Sequence, residues 1–218
     1  MAVVLKLLLC SVLTLPLAAQ TLVVDRPLGE GPPIAQVVER GAAGAYADAF
    51  QIGAAHEVWM IDAIRVWALP APACPRELGD QMRKITLYGA LDNPPIPGQP
   101  VCDCHALVAL AAVPLLPHSS ASGNPNVQLT RDQGAWRLDF HDVRWSVPGG
   151  MDVLFSIRIS PLARDLCQAA AGWSLAAAPA AADYRLHLLN EKGVPIGLEP
   201  AQKRPRSVAI QVWARRTQ

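Results

Sequence analysis

Two stretches of this chain alternate apolar and polar residues with a period of two, and a chain carrying that pattern folds into half-buried β-strands. In the first, Trp136, Leu138 and Phe140 point one way while Arg137, Asp139 and His141 point the other. Successive side chains of a strand face opposite sides of its sheet, so one face is expected to be buried and the other wet. In the second, Met151, Val153, Phe155, Ile157 and Ile159 alternate with Asp152, Leu154, Ser156, Arg158 and Ser160. Between them the turn Pro148-Gly149-Gly150 marks a reversal.

The 20 Pro and 15 Gly fall in clusters that separate short apolar segments, the punctuation of a β-sheet protein. Ala47 to Ile52 and Val58 to Leu69 are expected as strands around the turn Gly53 to Glu57. Further strands are expected at Lys84 to Gly89, Tyr184 to Leu189 and Ser207 to Trp213. His105 to Val113 is read as a strand, although its alanines would equally support a helix. Gln20 to Gly44 reads as an entry arm or a first irregular strand, and Ala-rich Pro161 to Asp183 as one short helix or a long loop. About eight strands, too closely spaced for helical crossovers, argue for a mostly β fold: an antiparallel two-sheet sandwich with long loops.

The first twenty residues set the compartment. Lys6 precedes the apolar run Leu7 to Leu17 and then Ala18, Ala19 and Gln20, the order of a secretory signal peptide with cleavage near Ala19 or Gln20. A lipoprotein signal competes with it, but Leu9 stands before Cys10 where such signals want a small residue. Residues 1–20 are therefore taken as signal, 21–44 as an N-terminal arm and 45–218 as one β-sandwich domain. No later apolar run reaches the roughly 20 residues that a membrane-spanning helix needs, so no transmembrane segment is expected once the signal is gone. The expected location is secreted or periplasmic. A net charge of +1 gives no steering toward nucleic acid, and none is expected as partner.

Cysteine usage agrees with export. Beyond Cys10 the chain carries Cys74, Cys102, Cys104 and Cys167, an even number that suggests two disulfides. Cys102 and Cys104 are separated by one residue and would close a strained ring, so each is expected to reach Cys74 or Cys167, in an order that remains open. The rival is a metal site at Cys102, Cys104 and His105.

Ala47-Asp48-Ala49-Phe50, followed by Trp59, Ile61, Ile64 and Trp67, resembles the opening of secreted bacterial β-sandwich domains that begin Ala-Asp-Asp-Phe and continue Trp-x-Ile-x-x-Ile-x-x-Trp. Ile85 to Gly89, Trp145 to Gly150 and Val208 to Trp213 resemble their middle, Gly turn and last strand, so the likeness spans about Ala45 to Trp213. Two departures stand out: Ala49 replaces the second Asp, which weakens any cation site built on that acidic pair, and the sorting tag that often ends such proteins is missing. The resemblance implies a jelly-roll-like sandwich of extracellular-matrix, adhesion or carbohydrate-binding type, and it carries no catalytic residues.

Reaction motifs give little. A Gly-x-Ser-x-Gly elbow, a His-Glu-x-x-His zinc helix, a phosphate-cradling Gly loop and an EF-hand loop are all absent from the sequence. Asp139 and His141 share a strand face about 7 Å apart by strand rise, beside Asp142, and could touch one ion or substrate, or belong to a solvated face with Arg137. Six Trp against three Tyr and three Phe are the better hint. Trp213 falls opposite Val208, Ile210 and Val212, and Trp59 and Trp67 share a face with Arg65 by spacing. An exposed indole can stack a sugar ring; a buried one plugs a core. Lys203, Arg204, Arg206, Arg215 and Arg216 are read as guards of an exposed sheet edge.

The expected function is thus a non-catalytic binding or surface module, with a polysaccharide or other cell-envelope component as partner and no cofactor. Its candidate ligand-binding residues are Trp59, Trp67, Trp213, Asp139 and His141. The alternatives are a secreted hydrolase using acidic residues such as Asp139 or Asp142, and a structural component of the envelope.

Overall fold

The computed structural model describes residues 20–29, 35–36, 45–69, 77–92, 107–132, 134–161, 174–175, 177–178, 186–189, 195–198 and 207–218. Residues 1–19 of the leader, the four cysteines Cys74, Cys102, Cys104 and Cys167, residue Trp173 and the basic residues Lys203, Arg204 and Arg206 lie outside them. In chain order the strands open with β1 (Thr21–Arg26), β2 (Ala35–Gln36), β3 (Ala45–Gln51), β4 (Val58–Leu69) and β5 (Met82–Asp92). They continue with β6 (Val108–Pro114), β7 (Val127–Asp132), β8 (Ala135–Phe140), β9 (Trp145–Pro148) and β10 (Asp152–Pro161). The short β11 (Ser174–Leu175) and β12 (Ala177–Ala178) precede β13 (Leu186–Leu189), β14 (Pro195–Leu198), β15 (Ser207–Val208) and β16 (Ile210–Arg216). The helix among the described residues is a single turn at Leu78–Gln81, and no helix there is long and apolar enough to cross a membrane.

Fourteen of these strands form two antiparallel sheets packed as a sandwich, and β12 pairs with β15 in a separate two-stranded ladder. Of the two sheets, sheet A is organised around β4: β16, with β1 beyond it, and then β11 pair along one side of β4, and β9 and then β8 pair along its other side. Sheet B runs β14-β13-β3-β10-β5-β6. The alternating segments behave as their spacing requires, since Trp136, Leu138 and Phe140 of β8 face Val153, Phe155 and Ile157 of β10 in one continuous core. Burying each such side chain contributes about 1.5–3 kcal/mol, and this shared interior holds the sheets together.

Of the two readings of the segment before β3, an entry arm or a first irregular strand, Thr21–Arg26 takes the second: it is a strand of sheet A paired with β16, with a register shift between Leu22 and Val24. Three details depart from the sequence expectation. β16 is flanked by β1 and β4 and is no exposed edge; Arg216 instead holds Glu57 at 2.9 Å, and Arg215 Nε stands 3.4 Å from Asp62 Oδ2. The face of β10 opposite the core is not wet, because Leu154 and Ser156 are buried there. Finally, β4 carries a bulge: Ala63 pairs with Trp213 while Ile61 pairs with the next residue, Ala214, leaving Asp62 as the extra residue.

That bulge resets the alternation along β4. Ile64, Val66 and Ala68 point into the core, and so does Ile61 on the far side of the extra residue. Trp59 follows Ile61 inward and packs against the core, whereas Arg65 and Trp67 face outward. The two tryptophans do not share a face.

Candidate functional site

Register on the outer face of sheet A builds a polar row across five strands. Gln128 of β7 stands opposite Asp139 of β8, Asp139 opposite Arg65 of β4, Arg65 opposite Gln211 of β16, and Gln211 opposite Asp25 of β1. Side chains at such positions are near neighbours, and opposite charges there attract. Arg65 Nε donates to Asp139 Oδ1, and Arg65 Nη1 donates to Gln211 Oε1 at 3.0 Å. Gln211 Nε2 donates in turn to Asp25 Oδ1 at 2.8 Å, and Arg137 Nε donates to Asp139 Oδ2 at 2.9 Å. Asp139, expected on a wet face, is 4% exposed because two guanidinium groups flank it.

The next row toward the chain start contains Ala63 opposite Trp213. His141 continues β8 past Phe140, the partner of Ile64, so it arrives on the other flank of Ala63. The small Ala63 side chain leaves a gap between these two larger neighbours. Gln20, Arg65 and Asp139 complete the walls of an open pocket of about 150 Å³. Arg65 also lies over the indole of Trp213, its Cζ 5.1 Å from the ring centroid, a cation–π contact that fixes both groups.

Three of the five candidate residues, Trp213, Asp139 and His141, thus meet in one pocket. Trp67 and Trp59 do not join them. Trp67 is buried among Ala135 and Ala209 with Leu28 and Leu69 against it, and its Nε1 donates to Asp132 Oδ2 at 2.9 Å. Trp59 donates from Nε1 to Glu57 Oε2 at 3.0 Å, and the same oxygen accepts the Ala54 N–H at 2.9 Å. These contacts make Trp59 the clamp of the turn between β3 and β4. The Ala54 N–H first, then the Trp59 indole, with Arg216 adding charge, hold the Glu57 carboxyl below the usual glutamate range.

Spacing on β4 puts Arg65 on one face with Trp67, but its role at the pocket depends on pairing with residues 74 and 146 positions away. Gln20 falls at the end of the leader by sequence and carries no signal for a site. Asp142 is exposed, at a φ of 56°, and is held by Arg144. Asp48, the remaining acid of the Ala47-to-Phe50 motif, is buried against Arg26. Among the described residues no group of three or more His, Cys, Asp or Glu is placed to hold a metal ion.

No protein family, curated protein or solved structure matches this chain. The chemistry of the pocket must therefore be argued from its own groups. It joins a flat apolar ring to a carboxylate, a guanidinium and an imidazole whose orientations are set by sheet register.

Proposed function

We propose that this protein is an exported, non-catalytic binding module that takes a carbohydrate at the outer-face pocket of sheet A. The observation that carries this reading is Trp213 sharing one pocket with Asp139, His141 and Arg65. A sugar offers an apolar C–H face and a rim of hydroxyls, each both donor and acceptor. An indole supplies area for the first, and ion-paired groups held in place supply partners for the second at little ordering cost. At about 150 Å³ the pocket is below the roughly 300–1,000 Å³ of sites for drug-sized ligands, which suits one ring or the end of a longer polymer.

The hydrolase alternative fits the geometry less well. A general acid or base must reach its substrate with a free oxygen, and each oxygen of Asp139 is already bonded to an arginine Nε. Asp139 is better suited to orienting Arg65 than to moving a proton.

Export and two disulfides from Cys74, Cys102, Cys104 and Cys167 belong to the same proposal, resting on the leader pattern and the even cysteine count. Cleavage after Ala19 would leave Gln20, a pocket residue, as the first residue of the mature chain. Intact mass without reduction, after alkylation, tests the bridges: four modified thiols would remove them.

A glycan array followed by calorimetry on the mature protein and on Trp213→Ala tests the function. The expected result is saturable binding of one class of polysaccharide, reduced at least tenfold by the substitution. Absence of binding to any glycan, or equal affinity in the variant, would overturn it.

A further inference from the structure

A second set of polar groups lies on the opposite sheet, and the pocket on sheet A makes no use of it. Arg158 of β10 stands in direct register with Thr86 of β5, both on the face of sheet B turned away from the core. The Arg158 guanidinium rests over the ring of Tyr88, its Cζ 5.1 Å from the centroid. Its Nε and Nη2 are closed off from solvent and, among the described residues, have no hydrogen-bond partner, and the same holds for Thr86 Oγ1.

That combination is costly for a structure with nothing to offset it. An unpaired hydroxyl out of water is destabilising, and a guanidinium edge without an acceptor is more so. The two orphaned nitrogens also have a specific geometry. Nε and Nη2 lie on the same side of the planar guanidinium, so their N–H bonds run parallel, which is the fork that accepts two oxygens of a carboxylate or phosphate at once. Stacking on Tyr88 holds the plane of that fork, and Thr86 brings a third donor from the adjacent strand.

We propose that Arg158 and Thr86 form an oxyanion site, in which Arg158 Nε and Nη2 grip two oxygens of a carboxylate or phosphate group side-on and Thr86 Oγ1 donates to one of them. Binding satisfies three donors that have no partner among the described residues.

Titration calorimetry on the full mature chain, with succinate and with inorganic phosphate at matched ionic strength, tests the site. Saturable binding of one or both probes is expected, and which one binds identifies the natural group as carboxylate or phosphate. Arg158→Lys keeps the charge but loses the parallel fork, and should weaken binding at least tenfold; Thr86→Val keeps the shape and should weaken it severalfold. A separate reading comes from Tm without ligand, where Arg158→Met should match or exceed the parent because an unpaired charge is replaced by an apolar chain. No saturable heat with either probe, affinities unchanged in Arg158→Lys and Thr86→Val, or a large fall in Tm for Arg158→Met would each overturn the proposal.

Discussion

Arg26 of β1 and Asp48 of β3 meet across the sandwich, one from each sheet, with Arg26 Nη1 3.3 Å from Asp48 Oδ2 and residue exposures of 6% and 1%. The same carboxylate accepts the Val208 N–H at 2.7 Å and the Ala49 N–H at 2.7 Å, while Arg26 Nη2 donates to the Ala49 carbonyl at 3.0 Å. One buried acid thereby ties the first strand and β15 to β3.

Removing only the acid takes a counter-charge from a buried guanidinium. Asp48→Ala should destabilise the protein by about 3–5 kcal/mol, because Arg26 Nη1 and the Val208 N–H lose this carboxylate in a dry interior. The double variant Arg26→Met/Asp48→Leu should recover a large part of that loss. Urea unfolding checks both, and a double variant no more stable than Asp48→Ala would contradict this account of the pair.

The turn before β4 depends on one glycine. Gly53 has a φ of +60°, and a Cβ added there would fall 2.1 Å from Trp59 Nε1. Gly53→Ala is expected to cost about 1–3 kcal/mol through the unfavourable backbone and the displaced indole. Denaturant midpoints measure the loss, and a change in tryptophan emission would report the displacement of Trp59.

Glu57 makes stability depend on pH. Its folded carboxyl lies below its ordinary 4.5, so the contribution is present above that value and disappears as pH falls through the folded value. Glu57→Gln removes this titration. The parent should exceed the variant in Tm at pH 7 by more than at pH 3, and a constant gap would show that the charge is not what matters.

How much of this was legible in the sequence follows from which contacts are local. Apolar residues confined to one face made β8 and the core side of β10 readable from alternation alone. The bulge at Asp62 was not, because nothing in the local pattern says that Ile61 and Ile64 both point inward, and Trp59 changes face with it. β7 has only Val127 and Leu129 as apolar markers and stayed hidden among polar neighbours. At the pocket, Trp213, Asp139 and His141 drew notice by residue type and face. Their convergence, and the parts played by Arg65 and Gln20, depend on register between strands distant in sequence, which no local period encodes.

Filling the pocket separates binding from folding. Ala63 faces outward between Trp213 and His141, so Ala63→Met should occupy the gap while changing stability by no more than about 0.5 kcal/mol. Calorimetry should then show glycan binding lost with the unfolding midpoint retained. Retained affinity would place the ligand elsewhere.

The most direct measurement follows the tryptophan indole N–H resonances by NMR during titration with the glycan that the array selects. The Trp213 signal should move with ligand, while those of Trp59, Trp67 and Trp136, committed to the core and to their own contacts, stay in place. A Trp213 signal that does not move while another indole does would contradict the assignment of the site.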